Sequence, residues 1–365
     1  MRILIAPDKF KGSLGAEEVG QSIAAGLKSS LPEAELEIVA LADGGEGTAA
    51  AICRAAGGEW IECRVHDALG RAITARYAWL AESSRAVCEM SAAAGLARLT
   101  PNERDPLRAS TFGVGEMLRA ISAHGPREII VGLGGSATND GGFGLARALG
   151  FRFIGRDDRE LAGPVDELCE LLRIESPNEY TLLPITVACD VNNPLLGPHG
   201  ATRTFGPQKG ATPEQLDLLE RSLARLAEVA ARAFYCDHRA AAGAGAAGGL
   251  GFGLLTFCNA RLRSGFEVVA EATGLRAKIA RADIVITGEG KLDRQTLTGK
   301  GPAGLARLAR SLGKPVFAIV GQATEDAEVR ELFDGVTTLR GNQPDHSDTA
   351  EMLERRASEL GLRLR

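Results

Sequence analysis

The chain has 365 residues, 45% hydrophobic and 24% charged, a globular composition too long for one typical core, so two domains are expected. A net charge of −5 and a pI near 5.7 exclude a global attraction for nucleic acid or an anionic membrane, so any phosphate binding has to be local. Seven scattered cysteines without a Cys-x-x-Cys pair, no long apolar run, and an opening "MRILIA" that meets Pro7-Asp8 early point to a soluble cytoplasmic protein without disulfides, zinc or a signal peptide.

In chain order, "RILIAPD" predicts a buried strand and "SLGAEEVGQSIAAGLKSSL" an amphipathic helix with Ser13 near its N-cap. The strand "ELEIVALADGG" and the helix "EGTAAAICRAAGG" complete a βαβα start, the mark of a parallel sheet covered by helices. From Trp60 the texture changes to short alternating pieces, "WIECRVHDALGRAITARYAWL" and "SRAVCEMS", as antiparallel hairpins have. A helix at 113–123, the strand "REIIVGLG" and the helix "GFGLARALG" follow, then "TLLPITVACD" as a strand ending in acid and a long helix over 213–233. After the glycine-rich 243–253 and one more helix, the tail reads as the strand "ADIVITGEG", the helix "PAGLARLARSLG", the strand "PVFAIVG" and a last helical pair around "VTTL".

The end resembles the beginning and the middle does not. The expected fold is therefore α/β with two domains. A Rossmann- or flavodoxin-like parallel sheet is formed by both chain ends (1–59 and 265–365), and a mixed α/β domain (60–264) is inserted.

Glycine is the anomaly, 45 of 365 or about 12% against ~7% in an average protein, and the excess is clustered. "ADGGEGT" (42–48), "GLGGSATNDGG" (132–142) and "TGEGKLDRQTLTGKG" (287–301) each follow a strand. Glycine there either only turns the chain or lets an anion reach unpaired main-chain N–H groups. "GAGAAG" (243–248) matches Gly-x-Gly-x-x-Gly without a preceding strand, which favours a hinge or close helix packing. "GLGGSA" fits Gly-x-Gly-x-x-Ala after a strand, with Asp157 and Asp158 downstream, and keeps an NAD(P)-dependent oxidoreductase of a small hydroxy acid as an alternative. There is no Walker A motif, no nucleophile elbow and no metal spacing among the histidines.

Polar residues gather at predicted strand ends: Lys9, Lys11 and Ser13, then Asp43 and Glu46, then Asp190, then Glu289, Lys291 and Asp293. These are the parts of magnesium–phosphate chemistry. One or two carboxylates hold the metal, for which Asp43, Glu46, Asp140 and Glu289 are the candidates. One carboxylate takes the proton of an attacking hydroxyl, and lysines offset phosphoryl charge. The catalytic candidates are Asp190, Lys9 and Asp293, with Asp190 favoured as base because the turn "VNNP" fixes it. Substrate and phosphate contacts fall to Lys11, Ser13, Gly44, Gly45, Gly134, Gly135, Ser136, Thr138, Asn139, Gly288 and Lys291.

Taken together, "APDKFKGSL", "ADGGEGT", "GLGGSATNDGG", "CDVNNPLLGPHGA" with "FGPQKGA", "GAGAAGGLGFGL" and "ITGEGKLDRQTLTGKGPAGLA" resemble the bacterial type I glycerate kinase family from Met1 to about residue 340. The resemblance implies Mg²⁺-dependent transfer of the ATP γ-phosphoryl group to D-glycerate in a two-domain fold. The product it favours is 2-phosphoglycerate, with 3-phosphoglycerate as the alternative. The partners are then ATP and D-glycerate, with no nucleic acid and no membrane; a homo-oligomer is left open. "ASTFGVGEML" departs from the family's usual run, since Val114 stands where a threonine is common, so no polar contact is assigned to Val114. A non-catalytic sugar-acid sensor would have no use for this many acids and lysines.

Overall fold

The computed structural model describes residues 1–10, 12–178, 183–294, 301–324, 326–339 and 348–365; Lys11 and parts of the 287–301 motif lie outside them. The described chain divides into two compact units, Met1–Asp43, Ala50–Ala56 and Phe266–Arg365 in the first, Gly44–Ala49 and Gly57–Gly265 in the second. The fold is α/β, with one parallel sheet made by both chain ends and a mixed α/β unit inserted.

In the first unit five strands pair in parallel in the order Gly335–Thr338, Val316–Ala323, Ile284–Leu292, Arg2–Ile5, Glu35–Ile38. Period-2 alternation sends Ile3 and Ile5 to one face and Leu4 and Ala6 to the other, and each face has its own core. Ala16–Ser30 and Thr349–Arg363 cover the first face through Val19, Ile23, Leu27, Met352 and Leu353. Leu275–Arg281 and Gly301–Ser311 cover the second through Leu275, Ile279, Leu305 and Ala309. Gly26 lets the two helices of the first face touch, because a Cβ there would overlap the Glu354 carbonyl oxygen.

Numbered within this unit, the strand order is 2-1-3-4-5, a flavodoxin-like arrangement whose order reverses between Arg2–Ile5 and Ile284–Leu292. Open α/β sheets bind ligands beyond the carboxyl ends of the strands at that point.

Three details differ from the sequence expectation. Phe10 and Leu14 form a tight bridge with Ser13 inside it, so the first helix starts later, with Gly15 as N-cap and Glu18 accepting from its N–H at 2.8 Å. The strand "ADIVITGEG" does not turn at its glycines; it runs on to Leu292, because Gly288 and Gly321 admit the neighbouring backbone. "VTTL" contributes the edge strand Gly335–Thr338, four half-buried residues too few to show a period, although Val-Thr-Thr has the β-branched composition of one.

In the second unit the order is Arg261–Arg263, Ile185–Ala188, Glu128–Gly132, Arg85–Glu89, Ala72–Leu80, Glu59–His66. Glu59–His66 and Ala72–Leu80 form the expected antiparallel hairpin, and Arg85–Glu89 joins it antiparallel while pairing in parallel with Glu128–Gly132. The four parallel strands put Glu89, Gly132, Ala188 and Arg263 at one edge. One large core lies beneath, with Phe143, Phe151, Phe153, Phe234 and Phe257 packed edge to face except for the tilted pair Phe151 and Phe257. No helix among the described residues is long and apolar enough to cross a membrane.

Candidate functional site

At the switch point of the first unit, the backbone past Ile5 stays zipped to the next strand: the Ala6 N–H donates to the Ile286 carbonyl and the Asp8 N–H to the Gly288 carbonyl, both at 2.7 Å. Thr287 Oγ1, fully buried, donates to the Ala6 carbonyl at 2.7 Å. Asp8 and Lys9 are thereby held at the carboxyl edge, half-buried, with the Lys9 N–H donating to Asp8 Oδ1 at 2.7 Å. The Asp8 carboxylate also faces Gly301, the first residue of an eleven-residue helix. Glu289 and Lys291 follow on the neighbouring strand, and Lys291 Nζ pairs with Asp293 Oδ2 at 3.1 Å. Ser13 is turned aside, its hydroxyl donating to Thr349 Oγ1 at 2.8 Å. This edge carries a lysine pair and three acids around strand ends, and its backbone is fixed by sheet hydrogen bonds.

At the carboxyl edge of the second unit, "GGEGT" lies across the strand ends. A Cβ on Gly44 would overlap the Ala188 carbonyl, one on Gly134 would overlap Gly45 Cα, and the Gly134 N–H donates to the Gly44 carbonyl at 3.2 Å. Part of the glycine excess therefore serves backbone-on-backbone packing of two loops. The Glu89 carboxylate accepts from the Ala49 N–H at 2.8 Å and the Gly47 N–H at 3.1 Å, which fastens the start of the helix Thr48–Ala55. Burial, helped by the nearby Glu46, nevertheless holds its pKa above the usual carboxylate range. Glu89, with Ser91 beside it, is a candidate site residue that sequence reasoning missed, although it ends the strand "RAVCE" much as Asp190 ends the predicted strand "TLLPITVACD".

The loop after Gly132 goes inward. Thr138, Asn139 and Asp140 are fully buried. Asp140 Oδ2 accepts from the Thr111 N–H and hydroxyl, both at 2.8 Å, and from the Gly144 N–H at 3.1 Å, while Oδ1 accepts from the Gly142 N–H at 3.1 Å. Asp140 thus joins the starts of the helices Phe112–Ala123 and Phe143–Ala148, a structural employment that occupies both oxygens. Val114 is buried in the apolar core. Asn139 Nδ2 donates to Thr202 Oγ1 at 2.9 Å. "GAGAAGG" wraps this loop: Ala247, Gly248 and Gly249 all have positive φ, and a Cβ on Gly248 would overlap the Thr138 carbonyl oxygen. That is close packing, without a strand in front of it.

Lys209, from "FGPQKGA", is also fully buried, and its Nζ donates to the Thr138 carbonyl at 2.6 Å. Burial pulls its pKa down to about 7, against an upward pull from Asp140. In the unfolded chain a lysine titrates near ~10.4. Between these values the unfolded state holds more protons, so stability rises with pH by up to ~1.4 kcal/mol per unit. Urea unfolding from pH 7 to 9 should show this rise in the parent and a flatter one in Lys209→Met; equal slopes would contradict it.

Asp190 stands past the strand Ile185–Ala188, and its Oδ1 accepts from the Gly265 N–H at 2.9 Å and the Ser264 hydroxyl at 3.2 Å. Beside the second unit's strand ends opens a cleft of about 710 Å³, lined by Glu46, Glu89, Ser91, Gly135, Arg98 and Arg104 among others. The structure therefore brings together Gly44, Gly45, Glu46, Gly134, Gly135, Ser136 and Asp190 in the second unit, and Lys9, Gly288, Glu289, Lys291 and Asp293 in the first. Thr138, Asn139 and Asp140 lie deeper, and Asp43 is the last residue of the first unit's opening segment. Among the described residues, no three His, Cys, Asp or Glu side chains converge as a metal cage.

Residues 3–363 match the family model described as the glycerate kinase family. The chain is 40% identical over 369 residues to a glycerate kinase of Bacillus subtilis (strain 168), covering 99% of this chain and 97% of that one. It is 41% identical over 332 residues to a glycerate 2-kinase of Escherichia coli (strain K12), covering 90% and 87%. The crystal structure assigned as glycerate kinase 2 from Salmonella typhimurium LT2 superposes with a TM-score of 0.88 at 40% identity, covering 100% of this chain and 98% of that one. With the match running through both units and every glycine station described above, the chain belongs to the glycerate kinase family.

Proposed function

We propose that this kinase transfers the γ-phosphoryl group of ATP to the 2-hydroxyl of D-glycerate, giving 2-phosphoglycerate and ADP. The observation that carries the reading is Asp190, an acid at a strand end whose carboxylate is steadied by the Gly265 N–H and the Ser264 hydroxyl. The name of the Escherichia coli relative, a glycerate 2-kinase, supports the choice of hydroxyl.

In this reading the substrate hydroxyl forms the new O–P bond as the bond to ADP breaks, and Asp190 takes the hydroxyl proton. Phosphoryl transfer is loose and the proton leaves late, so a well-positioned carboxylate matters more than a basic one. Two donors on one oxygen suit that demand. Ser136 and the main chain at Gly134 and Gly135 supply polar contacts at the same edge. In the first unit Lys9 and Lys291 are the cations for phosphate oxygens, with Asp293 as partner or second acid. A nucleotide-bound Mg²⁺ would supply charge neutralisation there. A nucleotide-bound Mg²⁺ asks for one or two carboxylates and not a full cage, so the acids present fit it. Asp43 and Glu289 in the first unit, or Glu46 in the second, would be its holders. All seven cysteines are free thiols, which suits the reducing cytoplasm.

The reading is tested by mixing the protein with D-glycerate, ATP and Mg²⁺ and following ADP. ADP release should require all three; release that ignores D-glycerate, or turnover of NAD(P) instead, would remove it. Lys9→Met should lower kcat/KM by at least about tenfold, ~1.4 kcal/mol, because Lys9 sits nearest the first strand's end. Parent-like kinetics in that variant would take Lys9 out of the mechanism.

A further inference from the structure

The second unit's cleft contains an arginine that pairs with no acid among the described residues. Arg104 lines it half-buried, and its Nε is buried with no hydrogen-bond partner among the described residues. The acids beside it in sequence are committed elsewhere. Glu103 accepts from the Thr100 N–H and hydroxyl, at 2.8 and 3.0 Å, and from Arg71 at 2.6 Å. Asp105 accepts from the Leu107 N–H at 3.1 Å. The backbone of Arg104 is seated against Gly210, whose φ of +94° and lack of a Cβ make room for the Arg104 carbonyl. A guanidinium held on a firm backbone, partly stripped of water and left unpaired, is costly to keep unless an anion comes to it.

We infer that Arg104 binds the carboxylate of the small hydroxy-acid substrate, an inference that rests on the phosphotransfer reading above and adds to it the residue that recognises the acid. A planar guanidinium fork matches a carboxylate in two parallel hydrogen bonds. The rest of the cleft argues against a polyphosphate. Glu46, Glu62 and Glu89 line it opposite Arg76, Arg98 and Arg104, so its charges balance and no excess of cations is left for a polyphosphate, whereas a hydroxy acid brings one carboxylate for Arg104 and hydroxyls that carboxylates can accept from. Ser91 adds a hydroxyl to the same wall.

Steady-state kinetics of Arg104→Gln and Arg104→Lys, with D-glycerate and ATP varied separately, test this. Arg104→Gln should raise KM for D-glycerate by roughly 10- to 100-fold, the loss of a charge-assisted pair, and leave KM for ATP within about twofold. Arg104→Lys, which keeps the charge without the fork, should fall between. Glycerol, which lacks the carboxylate, should be discriminated against by the parent and far less by Arg104→Gln, a change that a merely structural residue would not produce. A parent-like KM for D-glycerate in Arg104→Gln overturns the inference while leaving the kinase reading intact, and so does a rise confined to ATP. If Arg104→Gln melts early, a parent-like KM in Arg104→Lys has the same force. A parent protein that makes no ADP from D-glycerate removes both readings together.

Discussion

Asp190→Asn should fold as the parent does, bind ATP, and lose roughly 10²- to 10⁴-fold in turnover, the usual worth of a positioned general base. The substitution keeps the shape of the side chain. Its oxygen can still accept from the Gly265 N–H and the Ser264 hydroxyl, which hold Oδ1 at 2.9 and 3.2 Å, so the local fold has no reason to change. What goes is the charge that draws the substrate proton. Circular dichroism and steady-state kcat on the same preparation separate the two. Turnover within a few-fold of the parent, together with an inactive Asp293→Asn, would exchange the roles of these acids; Asp293 is paired at 3.1 Å with Lys291.

The largest loss of stability should come from Asp140→Ala. Four donors converge on this one buried carboxylate: the Thr111 N–H, the Thr111 hydroxyl, and the N–H groups of Gly142 and Gly144. Burial pushes the Asp140 carboxyl up and the donors pull it down. Removing it strands buried polar groups at the starts of two helices, each worth about 1–3 kcal/mol when left unmade, so a total of roughly 3–5 kcal/mol is expected by urea unfolding. Asp140→Asn, which keeps an acceptor for the three donors on Oδ2, should lose less. The same variants weigh the metal role that the sequence suggests. A metal ligand would fold normally when replaced and change the Mg²⁺ dependence of turnover. A fold stabilised by Asp140 loses its unfolding midpoint first, and a midpoint within about 1 kcal/mol of the parent would contradict the account.

What the sequence made legible was periodicity and punctuation. The runs of Ile, Leu and Val at the two chain ends are short, continuous and separated by helical patterns, which is why a parallel sheet covered by helices could be read there. The same signal fails at Gly335–Thr338, where four half-buried edge residues carry no period. Acids at strand ends pointed to Asp190 and Glu289, yet the same rule overlooked Glu89, because "SRAVCEMS" reads as one more hairpin piece until its parallel partner at Glu128–Gly132 is known. Glycine runs signal close approach without saying to what. At Gly44, Gly134 and Gly248 the approaching group is protein backbone. Lys209 and Arg104 were invisible for a simpler reason: a lone basic residue in a polar stretch looks solvated, and only tertiary packing buries the one and leaves the Nε of the other without a partner among the described residues. Asp140 was legible as an important acid but not as a cap, since its donors at Thr111 come from a distant segment.

The most direct test is to identify the product. The protein is incubated with D-glycerate, ATP and Mg²⁺, and the phosphomonoester is read by proton-coupled ³¹P NMR. A phosphate on the 2-hydroxyl is split by the single methine proton into a doublet, and one on the 3-hydroxyl by the methylene protons into a triplet. The account predicts the doublet, growing in step with ADP. A triplet would move the reaction to the other hydroxyl, and no phosphomonoester at all would contradict the kinase reading itself.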